Sequence, residues 1–403
     1  MNHASEKSAL VLEIGSKFVK CGLSEERAPR GVLRWEIADM MRKPLTTAEW
    51  YAYLSPKLRS ICFDYLHVNP SHRRFVVCEE LVAPRGFREA LLEILFSELK
   101  AASVALVPSL LVALYATPHH TALMVDCGWA ETRILPIFKG IPMQHLYTTT
   151  PTGSAHCCEL IAAEMLKTHA GFTAFDAEDV LERACFAQQK DPIDTIVDAE
   201  FQTHAKDPVK VPILSALPTT YSSTEDLTLA RYIFYRSHLT FAQRQWNISL
   251  SLVTFMSSVS SVDHCDSPFC NIGNEANGVS VVAELLGLVE KLPVDVRAAM
   301  LANVFFIGGT AMIPGFPQRA IDDLHDAIVE DNKANPLVSS SAPVVVQLMA
   351  TYFPRNMVTW IGGSIFAATE SAKTAAISAQ EYTSRGHHLP DWLSVAEIEC
   401  SKE

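Results

Sequence analysis

Three glycine-containing turns, each placed directly after an apolar run, are the parts of this chain best suited to chemistry. They are Ile14-Gly15-Ser16, Asp126-Cys127-Gly128 and Ile307-Gly308-Gly309-Thr310. Glycine lets the backbone turn with positive φ and approach a ligand closely, so that successive N–H groups can point at one anion. Two such turns on facing hairpins could hold a polyphosphate between them. The pattern therefore predicts a nucleotide cleft.

The first two turns are predicted to be the tips of β-hairpins, because a short apolar stretch precedes each turn and another follows it. The predicted strands cover residues 10–14, 17–23, 75–78, 122–126, 133–138, 303–307 and 344–348. Amphipathic helices are predicted for 87–99, 155–168, 177–187 and 279–290. A strand pair followed by helices occurs once in each half, which favours an internal duplication. The expected architecture is two α/β lobes with mixed sheets.

Composition excludes several classes of protein. With 403 residues, 49% of them hydrophobic, the chain is long enough for two or more α/β domains. A formal net charge of −12 argues against non-specific binding to nucleic acid or to an anionic membrane surface, since both need clustered Lys and Arg. The polar start of the chain and the short apolar stretches predict neither a signal peptide nor direct membrane insertion. The expected partners are proteins.

The ten cysteines fit reduced thiols in a cytoplasmic protein better than a disulfide framework, because they lack a dense, regular spacing. Most are expected to be buried as small hydrophobic residues. One cluster, formed by His264, Cys265 and Cys270, could bind zinc. Without a second Cys or His pair, however, it is a weak signature for a zinc site.

Residues 191–277 differ from the rest of the chain. Prolines come close together at 208, 212 and 218, Ser and Thr follow, and residues 265–277 are rich in turn formers. This pattern predicts a divergent insertion or a peripheral subdomain. Within it, residues 230–256 are rich in aromatic and apolar side chains, which favours either a buried helix or strand pair, or a face that binds a partner.

Five segments, in this order along the chain, resemble the motifs of actin and the actin-related proteins. They cover residues 10–23, 106–116, 124–143, 307–316 and 360–365. In that family the segments form the first phosphate loop, a helix after the first lobe's core strand, the second phosphate loop, the adenosine loop and the return to the first lobe. The resemblance implies an actin-like, ribonuclease-H-like fold, which is a duplicated two-lobed α/β structure with a nucleotide cleft.

The resemblance also implies domain limits. The first lobe would cover residues 1–116, the second lobe 117–357 with a divergent subdomain at about 153–276, and residues 358–403 would return to the first lobe. Only fifty residues separate Gly22 from Arg73, clearly fewer than actin uses for the same connection. The small second subdomain, about residues 24–70, is therefore expected to be much reduced. In actin this subdomain helps to bind the next subunit at the pointed end.

Local features narrow the resemblance to the class of actin-related proteins at the pointed end of dynactin. Residues 67–77 and 293–297 carry it, together with Glu381-Tyr382 and residues 389–392 of the tail. The implied function is that of a non-polymerising structural subunit of the cytoplasmic cytoskeleton, which caps the actin-related filament and supports dynein-driven transport along microtubules. The implied partners are other dynactin subunits, namely the terminal subunits of the filament and the other pointed-end proteins.

Residue by residue, the resemblance implies a nucleotide site that has lost part of its machinery. It assigns ATP or ADP with Mg²⁺ to Gly15, Ser16, Lys20, Asp126, Gly128, Glu182, Gly308, Gly309 and Thr310, with Glu13 and Asp126 at the metal. Glu13 stands where actin has Asp, Lys17 replaces a glycine, and Leu181 replaces a basic residue near the adenine. Ser109 replaces the glutamine that positions the attacking water. Because the serine hydroxyl is too short to hold that water in place, we expect slow or absent hydrolysis.

Two of these positions have simpler interpretations. Asp126 could merely close its hairpin, and Glu13 could be a solvated residue at the end of a strand. The alternative function is an enzyme, an actin-fold ATPase or kinase that acts independently of dynactin. Ser109, Trp129 and the lack of an identifiable catalytic base in the sequence count against this alternative.

Overall fold

A computed structural model describes residues 8–35, 37–166, 171–187, 232–235, 238–242, 247–251, 280–334, 345–384 and 386. The strands are β1 (Leu10–Ile14), β2 (Phe18–Leu23), β3 (Gly31–Arg34), β4 (Arg74–Glu79), β5 (Ser103–Pro108), β6 (Ala122–Cys127), β7 (Thr132–Phe138), β8 (Ile141–Pro142), β9 (Thr148–Thr150), β10 (Cys185–Ala187), β11 (Tyr232–Tyr235), β12 (His238–Ala242), β13 (Asn247–Ser251), β14 (Val304–Ile307) and β15 (Ile377–Ser378). The α-helices are α1 (Ala38–Met41), α2 (Thr47–Ser60), α3 (Arg85–Glu93), α4 (Ser109–Ala113), α5 (Ser154–Met165), α6 (Ala174–Ala184), α7 (Val281–Lys291), α8 (Val294–Leu301), α9 (Phe316–Ala334), α10 (Val358–Ala367), α11 (Glu370–Ala375) and α12 (Ala379–Ser384).

The chain divides into two compact units. The first unit comprises Met1–His120, Lys139–Pro142 and Thr351–Glu403, and the second comprises Thr121–Phe138 and Met143–Ala350. Each unit has its own sheet and its own hydrophobic core.

The sheet of the first unit has the strand order β15-β5-β4-β1-β2-β3. Strand β1 runs antiparallel to β2 and parallel to β4, and β4 is parallel to β5. The segments 10–12 and 75–78 are apolar throughout and almost completely buried, as expected for parallel strands that are covered on both faces. The hairpin predicted around Gly15 is confirmed.

Helix α10 lies against this sheet. Trp360 is fully buried, and its indole Nε1 donates a hydrogen bond to the carbonyl oxygen of Val11 at 3.2 Å. A Cβ on Gly362 would overlap the carbonyl group of Val112, so glycine lets α10 approach α4 closely. The segment identified from the sequence as the return to the first lobe is thus a helix in the core of the first unit.

The connection from β2 to α2 is short. Strand β3 adds one strand at the sheet edge, and α1 is a single turn of four residues. Helix α2 begins with a capping box formed by Thr46 and Glu49, and it buries Trp50, Leu54 and Leu58 in the core of the first unit. Residues 47–60 therefore belong to the body of this unit, and only residues 24–46 lie between β2 and α2.

In the second unit, β6 lies between a parallel neighbour, β14, and an antiparallel neighbour, β7, which also pairs with β9. The hairpin predicted around Gly128 is confirmed. Strands β1, β2 and β4 of the first unit have the same arrangement, a hairpin whose first strand also has a parallel neighbour. The two units therefore share the topology that the predicted duplication requires.

The prediction of a strand at 344–348 is wrong for the described part of this segment, residues 345–348. Leu348 makes a single parallel bridge to Val304, while the neighbouring Gln347 donates its N–H to the carbonyl of Leu301 at the end of α8. The chain touches the sheet edge at this one bridge only, because the preceding amide bonds to a helix end instead of to a strand.

The predicted helices differ from the observed ones mainly at their ends. The helix predicted at 87–99 is α3, continued by a π-helical turn at Ile94–Glu98. The helix predicted at 177–187 is α6, which starts three residues earlier because Thr173 and Asp176 form a capping box, and its last predicted residues pair as β10. Residues 106–108, predicted to begin a helix, end β5 instead, and α4 begins directly after Pro108.

A further sheet in the second unit has the order β10-β11-β12-β13, with β10 parallel to β11 and the other neighbours antiparallel. The described parts of residues 230–256 are therefore the three strands β11, β12 and β13. The cluster of His264, Cys265 and Cys270 lies outside the described residues, as does the tail motif at 389–392.

The described cysteines are buried free thiols, as predicted: Cys21, Cys62, Cys78, Cys127, Cys157, Cys158 and Cys185. Burial raises the pKa of the Cys21 thiol to about 11 and that of Cys62 to about 12, so both remain protonated and unreactive at neutral pH. Among the helices that the structure describes, none combines the length and the apolar character needed to cross a lipid bilayer.

Candidate functional site

Gly15 begins the first glycine turn. Its N–H donates to the carbonyl oxygen of Phe18 at 3.0 Å, and a Cβ at this position would lie 2.9 Å from that oxygen. On the other side of the turn, the carbonyl of Ser16 accepts hydrogen bonds from the amides of Ile37 and Ala38 at 2.9 and 3.0 Å. The glycine amide thus closes the turn and is not directed at a ligand. The short connection after β3 fixes the conformation of this turn.

Glu13 and Lys20 lie directly opposite each other across the β1–β2 hairpin. The Lys20 ammonium donates to Oε1 of Glu13, and only 15% of the Glu13 side chain and 13% of the Lys20 side chain are exposed. The interpretation of Glu13 as a solvated residue at a strand end is therefore wrong. Both side chains belong to a largely buried ion pair next to the first turn.

Gly128 occupies the same place in the second turn. Its N–H donates to the carbonyl of Glu131 at 3.0 Å. Its own carbonyl accepts two hydrogen bonds, from the Ser154 amide at 3.1 Å and from Oγ1 of Thr310 at 2.9 Å. The hydroxyl oxygens of Ser154 and Thr310 are 2.6 Å apart. Three separate segments of the second unit therefore meet at this turn.

Asp126 and Arg133 lie directly opposite each other across the β6–β7 hairpin. The Arg133 Nη2 atom donates to Oδ2 of Asp126 at 2.7 Å, and both residues are buried. The Arg133 Nε atom lies 4.0 Å from Oε1 of Glu131, a more exposed carboxylate. This pairing is compatible with the simpler interpretation of Asp126, in which it stabilises its own hairpin.

The backbone and its surroundings require glycine at position 308 but not at position 309. Gly308 has a φ of +94°, and a Cβ there would lie 2.5 Å from Oδ1 of Asp126 and would overlap the Cys127 carbonyl. Glycine is thus required at 308 both by the backbone conformation and by the close approach of β6. Gly309 begins a 3₁₀ turn at Thr310–Met312, and a Cβ there would meet no described atom within 4 Å.

The remaining positions that were assigned from the resemblance lie on helices. Glu182 is exposed near the end of α6, whereas the neighbouring Leu181 is buried in the hydrophobic core of the second unit. Ser109 is 7% exposed at the first position of α4.

Both acidic residues assigned to the metal are paired with cationic side chains. In proteins Mg²⁺ is bound through one or two carboxylates, and waters and phosphate oxygens complete its nearly octahedral shell. Glu13 and Asp126 each accept a hydrogen bond from a cationic side chain on the neighbouring strand, and the second oxygen of Asp126 lies against Gly308. In the described parts of the chain, no group of three or more His, Cys, Asp or Glu side chains is arranged to hold a metal ion.

Sequence reasoning missed Arg133 and Ser154. A signal for Arg133 existed, because Asp126 and Arg133 have the same spacing of seven residues as Glu13 and Lys20, and each pair spans a glycine turn. Ser154 had no such signal, since its contact with Thr310 joins segments that are 156 residues apart.

Two comparisons with known proteins identify relatives of this chain. The family model described as actin matches residues 49–392. The chain is also similar to actin-related protein 10 of Dictyostelium discoideum, with 21% identity over 461 aligned positions that cover 97% of this chain and 90% of that protein.

Proposed function

Because this chain belongs to the actin family, we propose that it is a non-polymerising structural subunit of the pointed-end complex of dynactin. In this role it caps the pointed end of the short actin-related filament in the cytoplasm and supports dynein-driven transport along microtubules. Its partners are the terminal subunits of that filament and the other pointed-end proteins. The similarity to actin-related protein 10 of Dictyostelium discoideum supports this branch of the family.

The short connection between β2 and α2 is the observation that carries the proposal. Residues 24–46 supply one edge strand and a four-residue helix, in a place where actin has a subdomain that binds the next subunit. A head-to-tail polymer grows only if each subunit offers both complementary surfaces, because such an interface does not close on itself. A subunit that keeps one surface and lacks the other ends the polymer.

The protein binds ATP or ADP under this proposal but does not act as an enzyme. Membership of the actin family supports nucleotide binding. The buried Ser109 and the paired Asp126 support weak or absent hydrolysis. The nucleotide is then a structural ligand, which stabilises the fold through its binding free energy.

Affinity purification tests the assignment to dynactin. The full chain, tagged at one end and isolated under gentle conditions, should recover dynactin subunits, whereas identically tagged conventional actin should not enrich the other pointed-end proteins. If the tagged chain recovers no dynactin subunit, the assignment to dynactin is wrong. Its membership of the actin family is unaffected by that result.

Polymerisation tests the capping role separately. The purified chain, incubated with ATP under conditions in which actin polymerises, should remain unassembled in sedimentation and electron microscopy. Growth into long filaments would contradict the proposal, because it would require both complementary surfaces.

A further inference from the structure

We propose that the acidic tail of this chain, residues 387–403, docks on a basic and aromatic surface at the end of α2 in the first unit. This α2 surface consists of Lys57, Arg59, Phe63, Tyr65 and His67. The docking is a contact within one chain, so it rests neither on dynactin nor on nucleotide binding.

Two aromatic side chains of the α2 surface are exposed to solvent. Phe63 is 46% exposed and Tyr65 is 57% exposed, and both belong to the π-helical turn Ile61–Tyr65 that continues α2. The guanidinium group of Arg59 lies 5.8 Å from the centroid of the Phe63 ring, within the range of a cation–π contact. Nδ1 of His67 lies 3.1 Å from the carbonyl oxygen of Phe63. The exposed rings therefore offer apolar area that a docked segment would remove from water.

The α2 surface lies in a part of the chain whose charge is opposite to that of the whole. Residues 57–74 contain four Lys or Arg and one acid, Asp64, whereas the whole chain has a formal net charge of −12. Arg59 pairs with Glu98 at 3.0 Å, yet 54% of the Arg59 side chain remains exposed. The ammonium group of Lys57 lies 4.8 Å from the centroid of the Tyr53 ring. This combination suits an acidic segment that also carries apolar side chains.

Residues 387–403 have that composition, although they lie outside the described residues. One lysine, Lys402, stands against four acids, which are Asp391, Glu397, Glu399 and Glu403. Large apolar side chains occur between these charges, at Leu389, Trp392, Leu393, Val395 and Ile398. The tail and the α2 surface are thus complementary in charge, and both have apolar side chains to bury.

The described chain comes close to the α2 surface before the tail begins. Tyr382 of α12 stacks on Phe96, with 4.7 Å between the ring centroids. Phe96 belongs to the π-helical turn Ile94–Glu98, and Glu98 of the same turn pairs with Arg59. The seventeen residues of the tail would span about 50 Å if extended. Because the contact is intramolecular, the effective concentration of the tail is far above that of a separate molecule.

Hydrogen–deuterium exchange of the tail amides in the purified full chain tests the docking. In the wild type, we expect these amides to exchange at least about tenfold more slowly than in a synthetic peptide of residues 387–403. The double variant Lys57→Glu/Phe63→Ser reverses one charge and removes one ring of the α2 surface. Its tail amides should exchange within about twofold of the peptide rate. Raising the NaCl concentration to about 0.5 M should weaken the protection in the wild type, because salt screens the attraction.

Lys43→Glu/Tyr352→Ser is the matched control. It makes the same kinds of change at two exposed residues outside the α2 surface, and Tyr352 is 90% exposed. The tail amides of this variant should keep the wild-type protection. Thermal unfolding of both double variants shows whether they are folded.

Three results would overturn the docking. Wild-type tail amides that exchange at the peptide rate would show that the tail is not docked. Protection that survives in folded Lys57→Glu/Phe63→Ser would place the tail on another surface. Protection that increases with protein concentration would assign the contact to the tail of a second copy, and the intramolecular docking would then be wrong.

Discussion

Asp126 and Arg133 form a buried ion pair across the β6–β7 hairpin, with 2.7 Å between Oδ2 and Nη2. Glu13 and Lys20 form the corresponding pair across the β1–β2 hairpin. In both units the acid is the last residue but one of the strand before a glycine turn, and the base lies opposite it on the strand after the turn. The two carboxylates are therefore neutralised within their own hairpins, and the fold needs no bound ion to compensate them.

The first prediction concerns the contribution of the Asp126–Arg133 pair to the free energy of unfolding. Asp126→Leu leaves the Arg133 guanidinium buried without its carboxylate, and we expect the free energy of unfolding to fall by about 3 to 5 kcal/mol. The double variant Asp126→Leu/Arg133→Met should regain much of that loss, because an apolar pair replaces both charges. Urea unfolding of the wild type, both single variants and the double variant measures the coupling. Additive losses would show that the two side chains do not stabilise each other.

The second prediction is a pH dependence caused by Glu79, at the end of β4. Burial raises the pKa of its carboxyl group to about 7, although the Arg88 guanidinium, 2.8 Å away, lowers it in part. The folded protein therefore holds this proton at a pH where the unfolded chain has released it. As a result, the free energy of unfolding should fall as the pH rises from about 5 to 8, by on the order of 2 to 3 kcal/mol.

Urea unfolding at several pH values measures this slope. Glu79→Gln cannot ionise, so it should remove the contribution of this group and flatten the profile between pH 5 and 8. Glu80→Gln makes the same substitution at the next residue and should leave the slope in place. A slope that survives in Glu79→Gln would assign the pH dependence to another group.

The third prediction compares two helical glycines. Gly362→Ala forces a Cβ into the Val112 carbonyl group, and we expect it to reduce the free energy of unfolding by about 1 to 3 kcal/mol. Gly287→Ala lies within α7, where a Cβ would meet no described atom within 4 Å. That substitution should increase stability by about 0.5 to 1 kcal/mol, since alanine favours a helix. If both variants are equally stable, the close packing of α10 on α4 is contradicted.

The fourth prediction concerns hydrolysis. Phosphate release from ATP by the purified chain should stay far below about 1 s⁻¹, a rate that is ordinary for an enzyme. Ser109→Ala should leave this low rate unchanged, because the hydroxyl does not position the attacking water. A continuous assay for released phosphate measures both proteins. A rate above about 1 s⁻¹ would favour the enzymatic alternative.

Much of the fold near the glycine turns could be predicted from the sequence. Residues 10–23 and 122–138 form hairpins as expected, because an apolar run, a glycine turn and a second apolar run are local features of the chain. The boundaries of the helices were harder to predict. The start of α6 depends on the capping box of Thr173 and Asp176, and the last predicted residues of that helix pair as β10, which needs β11 as a partner.

The sequence by itself determined the family, the two hairpins and the glycine at position 308, since these depend on local apolar patterns and on backbone conformations that few residues can adopt. Only the tertiary structure decided that Ser154 and Thr310 meet at Gly128, and that Arg133 compensates the charge of Asp126. Contacts between Gly128, Ser154 and Thr310 join distant segments and depend on the packing of the whole second unit. The ion pair depends on strand register and burial, because a buried carboxylate requires a partner that an exposed one does not.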